Sequence, residues 1–523
     1  MPNFGFLIDN RKCIGCHACT VACKSEHEVP IGVDRTWVKY IEKGVFPNNR
    51  RLFTVMRCNH CDAAPCVSIC PVTSLYRRDD GVVDFNSDRC IGCKACMQAC
   101  PYDALHIDPE TDTVAKCNFC THRLEAGLEP SCVVVCPEQA IVGGDLDNSR
   151  SEISRLIERH PVQVRKPEKG TRPKLVYIDA DVASLVPART EAGGRSLWSR
   201  GEFVACDGRI APPTIATAAG NGSSTQFQES ARPAVEHRSS PRRVYDVRPR
   251  APAWGWAVAA YTWTKSISAG AFLAAVAARL LPGPAEAAVM PTILGIAALL
   301  FLLVTTALLV ADLKQPKRFL YVLLRPRWGS WLVRGAYFLV GYGAVLSAWL
   351  IARLSNMDAL ADVLMWPGAL LAGLSAVYTA FLFAQAMGRD FWQNPLLSVH
   401  LLAHASLAGG AVWLLCDAFA GGGSSAVPRF FTMATLSFSL VTLSAEICTT
   451  PPTDDARRAM EMIIGRPMGG WFWGAGIAIG HVLPLILLAT GVVPAVVAPL
   501  LVLGGMFVIE RLWVLAPQRV PLS

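Results

Sequence analysis

The sequence predicts two fold classes in one chain: an α+β module rich in cysteine, followed by an all-α module of eight transmembrane helices. Most of the 19 cysteines lie in one stretch between Cys13 and Cys136. Residues 1–250 are polar, whereas long apolar runs dominate residues 251–523. A length of 523 residues with so sharp a change of composition indicates at least two domains.

The cysteine stretch contains four groups of four, and these sixteen residues form the cysteine ladder. They are Cys13, Cys16, Cys19, Cys23; Cys58, Cys61, Cys66, Cys70; Cys90, Cys93, Cys96, Cys100; and Cys117, Cys120, Cys132, Cys136. The first and third have the C-x2-C-x2-C-x3-C spacing of a bacterial ferredoxin, and the others widen one gap. Three such thiolates wrap one face of an iron–sulfur cube, and the fourth ligates a neighbouring cluster. The pattern predicts a ferredoxin-like duplicated dicluster module with four [4Fe–4S] clusters.

Three other interpretations of these cysteines compete with this one. A disulfide framework needs an oxidising compartment and does not need a repeated spacing. Zinc sites typically use two pairs of ligands rather than a run of three plus one. Cys13 to His17 also matches the C-x-x-C-H pattern of c-type haem attachment, but Cys19 and Cys23 complete a cluster run around it. The iron–sulfur interpretation is therefore favoured.

The expected domain boundaries follow the composition. Residues 1–182 form the four-cluster domain, 183–250 a flexible and partly disordered linker rich in Gly, Ser and Pro, and 251–523 the membrane domain. The N-terminus has no basic region followed by an apolar stretch, so we expect no signal peptide. The pair Arg50-Arg51 is not followed by a hydrophobic run and does not indicate a twin-arginine signal.

Eight apolar segments follow the linker, each close to the roughly 20 residues that cross a bilayer. They span about 254–281, 288–311, 331–354, 362–387, 396–420, 428–447, 468–491 and 494–516. An even number of crossings places both ends of this module on one side of the membrane. Basic residues are concentrated on that side: Arg242, Arg243, Arg248, Arg250, Lys314, Lys317, Arg318, Arg325, Arg327, Arg389, Arg457, Arg458, Arg466, Arg511 and Arg519, against Arg279, Arg353 and Arg429 opposite. The positive-inside rule predicts a multi-pass protein of the cytoplasmic membrane with its cluster domain in the cytoplasm. The alternative is that these cations dock the cluster domain or another subunit.

With its uneven gaps and the segment Lys166–Pro173, the N-terminal half resembles the iron–sulfur electron-transfer subunit of complex iron–sulfur molybdoenzymes. The dimethyl sulfoxide, polysulfide and thiosulfate reductases belong to that group. The resemblance implies which cysteines share a cluster. The implied sets are Cys13, Cys16, Cys19 with Cys136; Cys117, Cys120, Cys132 with Cys23; Cys58, Cys61, Cys66 with Cys100; and Cys90, Cys93, Cys96 with Cys70.

The membrane half is similar to the NrfD/polysulfide reductase C membrane anchor. The motifs that carry this similarity are Asp312–Phe319, Leu324–Arg327, Ser330–Ala336 and Glu510–Trp513. The resemblance implies eight helices in two four-helix halves, a quinone bound near the cluster subunit, and no haem. The chain is therefore interpreted as a fusion of two subunits that are usually separate.

Ionisable residues inside a bilayer are costly, so each one is a functional candidate. The candidates for a quinone site (menaquinone or ubiquinone) are Tyr261, Lys265 and Tyr378; those for proton handling are Asp312, His400, Glu446 and His481. Structural alternatives are an ion pair of Asp312 with Arg318 or Arg334, and a Glu510–Arg511 pair. His400 and His404 also offer haem ligation, with His481 as the facing partner.

The expected function is electron transfer between a membrane quinone and a separate molybdopterin catalytic subunit, with no catalytic residues in this chain. The partners are that subunit, the quinone pool and the lipid bilayer, and nucleic acid is not among them. Expected substrates are sulfur compounds, as in a sulfite dehydrogenase or a polysulfide, thiosulfate or dimethyl sulfoxide reductase; formate oxidation is kept open. The alternatives are a quinol-oxidising respiratory complex with cytochrome partners, and an ion-translocating membrane unit driven by the clusters.

Overall fold

The computed structural model describes residues 2–44, 47–190, 240–247, 251–281, 289–420, 426–491 and 496–523. Strands and short helices form the N-terminal part, and long helices form the C-terminal part. The strands are β1 (Phe4–Asp9), β2 (Thr36–Lys43), β3 (Arg50–Arg57), β4 (Leu75–Arg77), β5 (Val83–Phe85), β6 (Leu105–Ile107), β7 (Val114–Lys116), β8 (Ile141–Asp145), β9 (Val162–Gln163), β10 (Leu175–Ile178) and β11 (Arg242–Tyr245). The helices of the N-terminal part are α1 (Ala18–Glu26), α2 (Pro65–Ile69), α3 (Ala95–Ala99), α4 (Thr121–Glu125), α5 (Ser131–Val134), α6 (Glu152–Arg159) and α7 (Val182–Leu185).

Four small sheets frame the cysteine groups. One sheet has the order β8-β1-β10-β9, with β1 parallel to β10 and antiparallel to β8. A second has the order β11-β2-β3, and the hairpins β4-β5 and β6-β7 complete the set. The two hairpins follow the second and third cysteine groups, as expected for a duplicated ferredoxin-like unit. The N-terminal part is therefore α+β with internal repetition, as the spacing predicts.

The C-terminal part is all-helical. Its helices are α8 (Trp256–Leu280), α9 (Met290–Ala311), α10 (Tyr321–Leu324), α11 (Trp331–Leu354), α12 (Asp358–Gln385), α13 (Leu397–Phe419), α14 (Ala426–Cys448), α15 (Asp454–Ile464), a π-helical segment (Trp471–Val482) that continues into α16 (Leu483–Thr490), and α17 (Val497–Arg519). A long helix occupies most of each of the eight segments expected to cross the membrane, and α12, α14 and α17 extend beyond the expected bounds. Seven of these helices in the described residues are long and apolar enough to span a bilayer, by length and composition.

The remaining long helix, α8, has 25 residues but a more polar sequence that includes Thr262, Lys265 and Ser266. Those side chains are buried, because α8 packs against α9, α12, α13 and α17. Helix α8 therefore lies in the middle of the bundle, where neighbouring helices cover its polar groups. A hydropathy criterion misses helices of this kind, because they are shielded by protein rather than by lipid.

The eight helices divide into two halves. Helices α8, α9, α11 and α12 contact one another, as do α13, α14, α16 and α17. The halves meet where α8 crosses α13, and there Gly270 and Gly409 bring the two backbones together. A Cβ atom on Gly409 would lie 2.2 Å from the carbonyl oxygen of Gly270, so larger residues are excluded from this crossing.

Part of the range expected as a linker is described. Arg242–Tyr245 forms β11, which pairs antiparallel with β2 at the edge of the cluster domain. Residues 191–239 and 248–250 lie outside the described residues, including Gly220–Ser224, which suggested flexibility, and the cations Arg248 and Arg250. Of Ser239–Arg243, which also suggested flexibility, residues 240–243 are described, and Arg242 and Arg243 lie in β11. The sequence did not predict the β11 strand, because a four-residue edge strand has too little periodicity to stand out.

Candidate cluster sites and the buried polar network

The first and third cysteine groups share an unusual backbone. Gly15 and Gly92 have φ of 72° and 68°, and His17 and Lys94 have φ of 61° and 62°. Two left-handed residues within five positions curl the chain so that successive thiols face one point, and a helix begins immediately afterwards. The repeated sequence C-I-G-C-[HK]-A-C therefore encodes a repeated loop.

Two of these loops enclose cavities lined by four thiols. A cavity of about 340 Å³ is lined by Cys13, Cys16, Cys19 and Cys136. A second, of about 330 Å³, is lined by Cys70, Cys90, Cys93 and Cys96. In both, three ligands come from one run and the fourth from a distant group, which is the combination that the resemblance implies.

The other eight cysteines of the ladder also lie in two sets. Burial raises the pKa of the Cys23 thiol, and Cys117, Cys132 and Cys120 raise it further. Burial raises the pKa of the Cys66 thiol, with Cys100, Cys58 and Cys61 acting in the same direction. Thiols influence one another in this way only when they are close, so the structure brings together the members of each set.

The donor chemistry of these sets fits an iron–sulfur cluster. The ladder cysteines are free thiols, which does not support a disulfide framework. A buried thiol with a raised pKa stays protonated at neutral pH, whereas a coordinated thiol loses its proton to the metal. Four converging thiols are the donor set of an iron–sulfur cluster, which would hold them as thiolates.

Two polar side chains missed by the sequence analysis contact these sulfurs. Arg57 Nη1 donates a hydrogen bond of 3.0 Å to Cys132 Sγ. Burial alone would lower the pKa of this guanidinium, but the thiols of Cys132, Cys117 and Cys19 raise it on balance. His27 Nε2 lies 3.1 Å from Cys120 Sγ. The available signal for Arg57 was its position at the end of an apolar strand, directly before the Cys58 run.

The set containing Cys93 is in contact with the membrane helices. Trp254 Nε1 donates to the Cys93 carbonyl at 3.1 Å, immediately before α8 begins. Lys94 Nζ pairs with Asp312 at 3.0 Å, and Arg318 Nη1 donates to the Cys90 carbonyl at 3.1 Å. The segment Asp312–Phe319, which carries the resemblance to the membrane anchor, therefore surrounds this loop.

The motifs Leu324–Arg327 and Ser330–Ala336 contact the backbone next to Cys70, which belongs to the same thiol set. The backbone N–H of Arg327 donates to the carbonyl of Pro71 at 3.1 Å, and Ser330 Oγ donates to the carbonyl of Ile69 at 2.8 Å. These two motifs, like Asp312–Phe319, thus lie at the interface between the two parts of the chain. Asp312 pairs with Lys94, so the alternative of Arg318 or Arg334 as its partner is wrong; Arg334 donates to the Trp328 carbonyl instead.

The three residues expected at a quinone site lie in the first half of the bundle. Lys265 Nζ is 4.7 Å from the centre of the Tyr378 ring and donates to the Ala376 carbonyl at 2.9 Å. The same ammonium donates to the Thr379 hydroxyl. Tyr261 lies on α8, one turn before Lys265, and is buried as well. All three candidates are buried between helices, at the end of the bundle that contacts the Cys93 set.

A buried network occupies the second half. His400 Nδ1 is 2.8 Å from Glu446 Oε2, and His404 Nδ1 is 3.2 Å from Glu510 Oε1. The two imidazole rings lie 4.1 Å apart between centroids. Glu510 therefore pairs with His404, and the expected Glu510–Arg511 pair is wrong. Helix α17, which carries Glu510, also packs against α8, which carries Lys265.

His481 does not supply a free nitrogen to this network. Its Nδ1 donates to the Gly476 carbonyl at 2.9 Å, which leaves Nε2 to accept from the Ser439 hydroxyl at 3.1 Å. Both nitrogens are occupied, so the interpretation of His481 as an axial haem partner of His400 or His404 finds no support in these contacts.

Several cations of the basic side bind the cluster domain. Arg389 Nε donates to Gln98 at 3.0 Å and Lys314 pairs with Asp112 at 3.2 Å. Arg458 donates to the Ala188 carbonyl, which lies just after the cluster domain. The alternative explanation of the charge bias, docking of the cluster domain, thus accounts for part of it.

Two family descriptions match the N-terminal part and one matches the C-terminal part. The 4Fe-4S dicluster domain matches residues 12–75 and 50–146. The family described as Polysulphide reductase, NrfD matches residues 246–520. Within residues 246–520, the structure describes the helices α8 to α17.

Relatives of the N-terminal part include subunits of reductases. The sequence is 43% identical over 199 residues to the B-type subunit of tetrathionate reductase from Salmonella typhimurium, covering 37% of this protein and 79% of that one. It is 41% identical over 180 residues to the B-type polypeptide of polysulfide reductase from Wolinella succinogenes, covering 34% of this protein and 93% of that one. It is 35% identical over 224 residues to the Arsenate respiratory reductase iron-sulfur subunit ArrB of Shewanella sp., covering 33% and 95%.

Fold, thiol sets and membrane helices together define an iron–sulfur electron-transfer protein with its own membrane anchor. This protein belongs to the NrfD polysulphide reductase family through its membrane half, fused to a B-type dicluster iron–sulfur subunit of the reductases named above.

Proposed function

We propose that this protein transfers electrons between a membrane quinone, menaquinone or ubiquinone, and a separate molybdopterin catalytic subunit. The observation that carries the proposal is the contact of the Cys70, Cys90, Cys93 and Cys96 set with the membrane helices. The chain divides into a cluster domain (1–182), a connecting segment (183–250) and a membrane domain (251–523).

The sixteen ladder cysteines are the proposed ligands of four [4Fe–4S] clusters, in the four sets given above. Such clusters supply one-electron transfer when bound. The protein holds the thiols in preformed loops and surrounds them with apolar residues such as Ile91 and Phe119, both buried. This arrangement shields most of the ligands from water and fixes the positions of the four sites relative to one another.

The two ends of the proposed path have different surroundings. The cavity of Cys13, Cys16, Cys19 and Cys136 is lined entirely by residues of the cluster domain, and Cys16 is exposed. Ile14, which lines this cavity, is an exposed apolar side chain. This end suits the docking of a catalytic subunit, whereas the Cys93 end suits exchange with quinone.

The quinone site is proposed among Tyr261, Lys265 and Tyr378. A quinone needs a hydrogen-bond donor at each carbonyl oxygen, and Lys265 and Tyr261 are buried donors on successive turns of α8. Asp312, His400 and Glu446 are proposed to handle the two protons that accompany quinone chemistry. The packing of α17, which carries Glu510, against α8, which carries Lys265, supports a connection between the quinone site and the His–Glu network.

The terminal substrate is proposed to be a sulfur compound. The similarity to subunits named for tetrathionate and polysulfide reductases supports this class, and the similarity to an arsenate reductase subunit keeps a related oxyanion as an alternative. Substrate chemistry is assigned to the partner subunit. The functional candidates of this chain are the thiol sets, which suit electron transfer, and the buried polar residues of the membrane helices, which suit quinone chemistry. Isolation of the native complex tests this assignment: a co-purifying subunit with molybdenum and pterin supports it, and co-purification with multihaem cytochromes instead contradicts it.

Quinol-driven reduction tests the electron-transfer assignment directly. The purified protein is placed in lipid nanodiscs and mixed anaerobically with short-chain menaquinol or ubiquinol. We expect bleaching of the iron–sulfur absorbance and a reduced-cluster EPR signal with at least one of the two quinols. Full cluster content without any reduction by either quinol, in protein that dithionite reduces, would contradict the proposal.

The cluster domain is proposed to face the cytoplasm, on the side where basic residues of the membrane domain are concentrated. Protease added to inside-out vesicles is then expected to remove the cluster domain, and protease added to spheroplasts is expected to leave it intact. The reverse pattern would place this domain in the periplasm.

A further inference from the structure

We propose that Arg57 raises the reduction potential of the cluster held by Cys23, Cys117, Cys120 and Cys132. The inference rests on the cluster assignment made above and extends it to a residue that is not a ligand. It follows from three observations: the guanidinium is buried, it donates to a ligand sulfur, and it has no carboxylate partner in the described parts of the chain.

Arg57 ends strand β3 and is 1% exposed. Its guanidinium carbon lies 4.5 Å from the centre of the Phe6 ring, which fixes the plane of the side chain from one face. Its Nη1 donates to Cys132 Sγ at 3.0 Å. The side chain is therefore held against one thiol set by a strand, an aromatic ring and a direct hydrogen bond.

The charge of this group is not balanced by a carboxylate within the described residues. The Nε and Nη2 atoms of Arg57 are buried without a hydrogen-bond partner there. The groups whose fields act on it are the thiols of Cys132, Cys117 and Cys19. An isolated buried cation is very costly, so the negative charge that balances Arg57 must come from the sulfur sites around it.

The effect on the potential follows from the sign of the charges. One electron added to a cluster increases the negative charge beside Arg57, while no bond forms or breaks and arginine stays protonated. A fixed cation attracts the reduced form more strongly than the oxidised form, and hydrogen bonds to the sulfurs act in the same direction. Cys19 belongs to the neighbouring set, so a smaller shift in the same direction is expected at that cluster.

The test is an EPR-monitored redox titration of the full chain in detergent, without quinone or catalytic subunit. Arg57→Met keeps an unbranched apolar side chain and removes the charge, Arg57→Gln keeps a neutral donor, and Arg57→Lys keeps the charge. We expect Arg57→Met to weaken electron binding at one cluster at least tenfold, which corresponds to 59 mV for one electron. The reduction potential of this cluster in Arg57→Gln is expected to fall between those of Arg57→Met and the parent. The potential in Arg57→Lys is expected to lie closest to that of the parent.

Lys39 provides a matched control. It lies on the adjacent strand β2, is 0% exposed, and its Nζ has no hydrogen-bond partner within the described residues. The charged groups that act on it are Asp246, Arg165, Arg243 and Lys166 rather than thiols. Lys39→Met is therefore expected to leave the cluster potentials unchanged.

Unchanged potentials in Arg57→Met and Arg57→Gln with full iron content would overturn the proposal, as would an equal shift in Lys39→Met. Loss of the cluster from all three Arg57 variants would assign Arg57 to cluster assembly and would equally overturn it. The iron content of the parent chain distinguishes failure of the cluster assignment from failure of the role proposed for Arg57. A value well below four clusters refutes the cluster assignment itself, whereas a full complement with unchanged potentials refutes only the role of Arg57.

Discussion

Lys94 and Asp312, which are 218 residues apart in the sequence, form an ion pair with 3.0 Å between Nζ and Oδ1. Lys94 belongs to the loop of the third cysteine group, one residue after Cys93. Asp312 ends α9 in the membrane domain. This pair joins the loop of the third cysteine group to the end of the bundle that contains the quinone-site candidates.

Breaking this pair is expected to slow quinol-driven cluster reduction. The side chains of Lys94 and Asp312 are 12% and 18% exposed, so a lone charge left behind is poorly solvated. Removing one partner of a buried pair costs up to about 3–5 kcal/mol, and this partly exposed pair lies at the lower end or below. We expect Lys94→Met and Asp312→Asn each to reduce the rate severalfold in stopped-flow measurements on nanodiscs.

The charge-swapped variant Lys94→Asp with Asp312→Lys is the control for this ion pair. If the swapped variant reduces its clusters faster than Lys94→Asp alone or Asp312→Lys alone, the attraction between the two charges is the cause of the effect. Equal rates in the parent and in both neutral variants would remove the pair from the electron-transfer interface.

The cysteine ladder and the helices were predictable because their signals are local. The C-I-G-C motif fixes a turn within five residues, and a long apolar segment indicates a membrane helix without reference to the rest of the chain. Arg57, the Lys94–Asp312 pair and the Trp254 contact with Cys93 depend on residues distant in sequence. They became visible only when the fold brought their partners together.

The same distinction explains the errors among the polar residues. Arg318, Arg334 and Arg511 suggest themselves as partners because they are close in sequence to Asp312 or Glu510. The actual partners, Lys94 and His404, come from another domain and another helix. The π-helical segment Trp471–Val482 was also missed, since its composition is that of an ordinary apolar helix.

Cys58→Ser is expected to disturb one cluster and to interrupt electron flow. Four cubane clusters correspond to about sixteen iron atoms per chain, and a value near eight would refute the four-cluster assignment. The variant should change one component of the EPR spectrum while the membrane domain remains inserted. Iron analysis and EPR of the purified protein provide the measurement.

Cys416→Ser is the matched control for this variant. Cys416 lies on α13, far in sequence from the ladder, and its side chain is half-buried among membrane helices. Its substitution should leave both iron content and EPR spectrum unchanged. Undiminished quinone-coupled electron transfer in Cys58→Ser would remove that cluster from the path.

Lys265→Met is expected to weaken quinol binding. The ammonium lies beside the Tyr378 ring and is buried, so it is a strong donor for a quinone oxygen. A hydrogen bond of this kind contributes about 0.5–1.5 kcal/mol, which predicts a rise of about twofold to tenfold in the KM for quinol. Steady-state rates over a range of quinol concentrations measure this effect.

Thr262→Val is the control on the same helix. The Thr262 hydroxyl is buried and donates to the carbonyl oxygens of Val258 and Ala259 within α8. This variant should keep the KM of the parent protein. A normal KM in Lys265→Met would move the quinone site away from this lysine.

Glu446→Gln tests whether the His–Glu network handles protons. Glu446 Oε2 is 2.8 Å from His400 Nδ1, while Oε1 is buried without a partner in the described residues. Glutamine keeps the shape of the side chain but cannot take up or release a proton near neutral pH. In liposomes with an internal pH dye, we expect the parent protein to change the internal pH during quinone turnover and Glu446→Gln to abolish that change.

Glu461→Gln is the matched control for the proton experiment, because Glu461 lies on α15, outside the eight long helices and away from this network. Turnover is driven by dithionite-reduced clusters, so that no catalytic subunit is needed. A pH change that persists in Glu446→Gln would take this carboxyl off the proton route. Turnover without any pH change in the parent protein would limit the network to a structural role, in which each carboxylate holds one imidazole in the packed core of the second half.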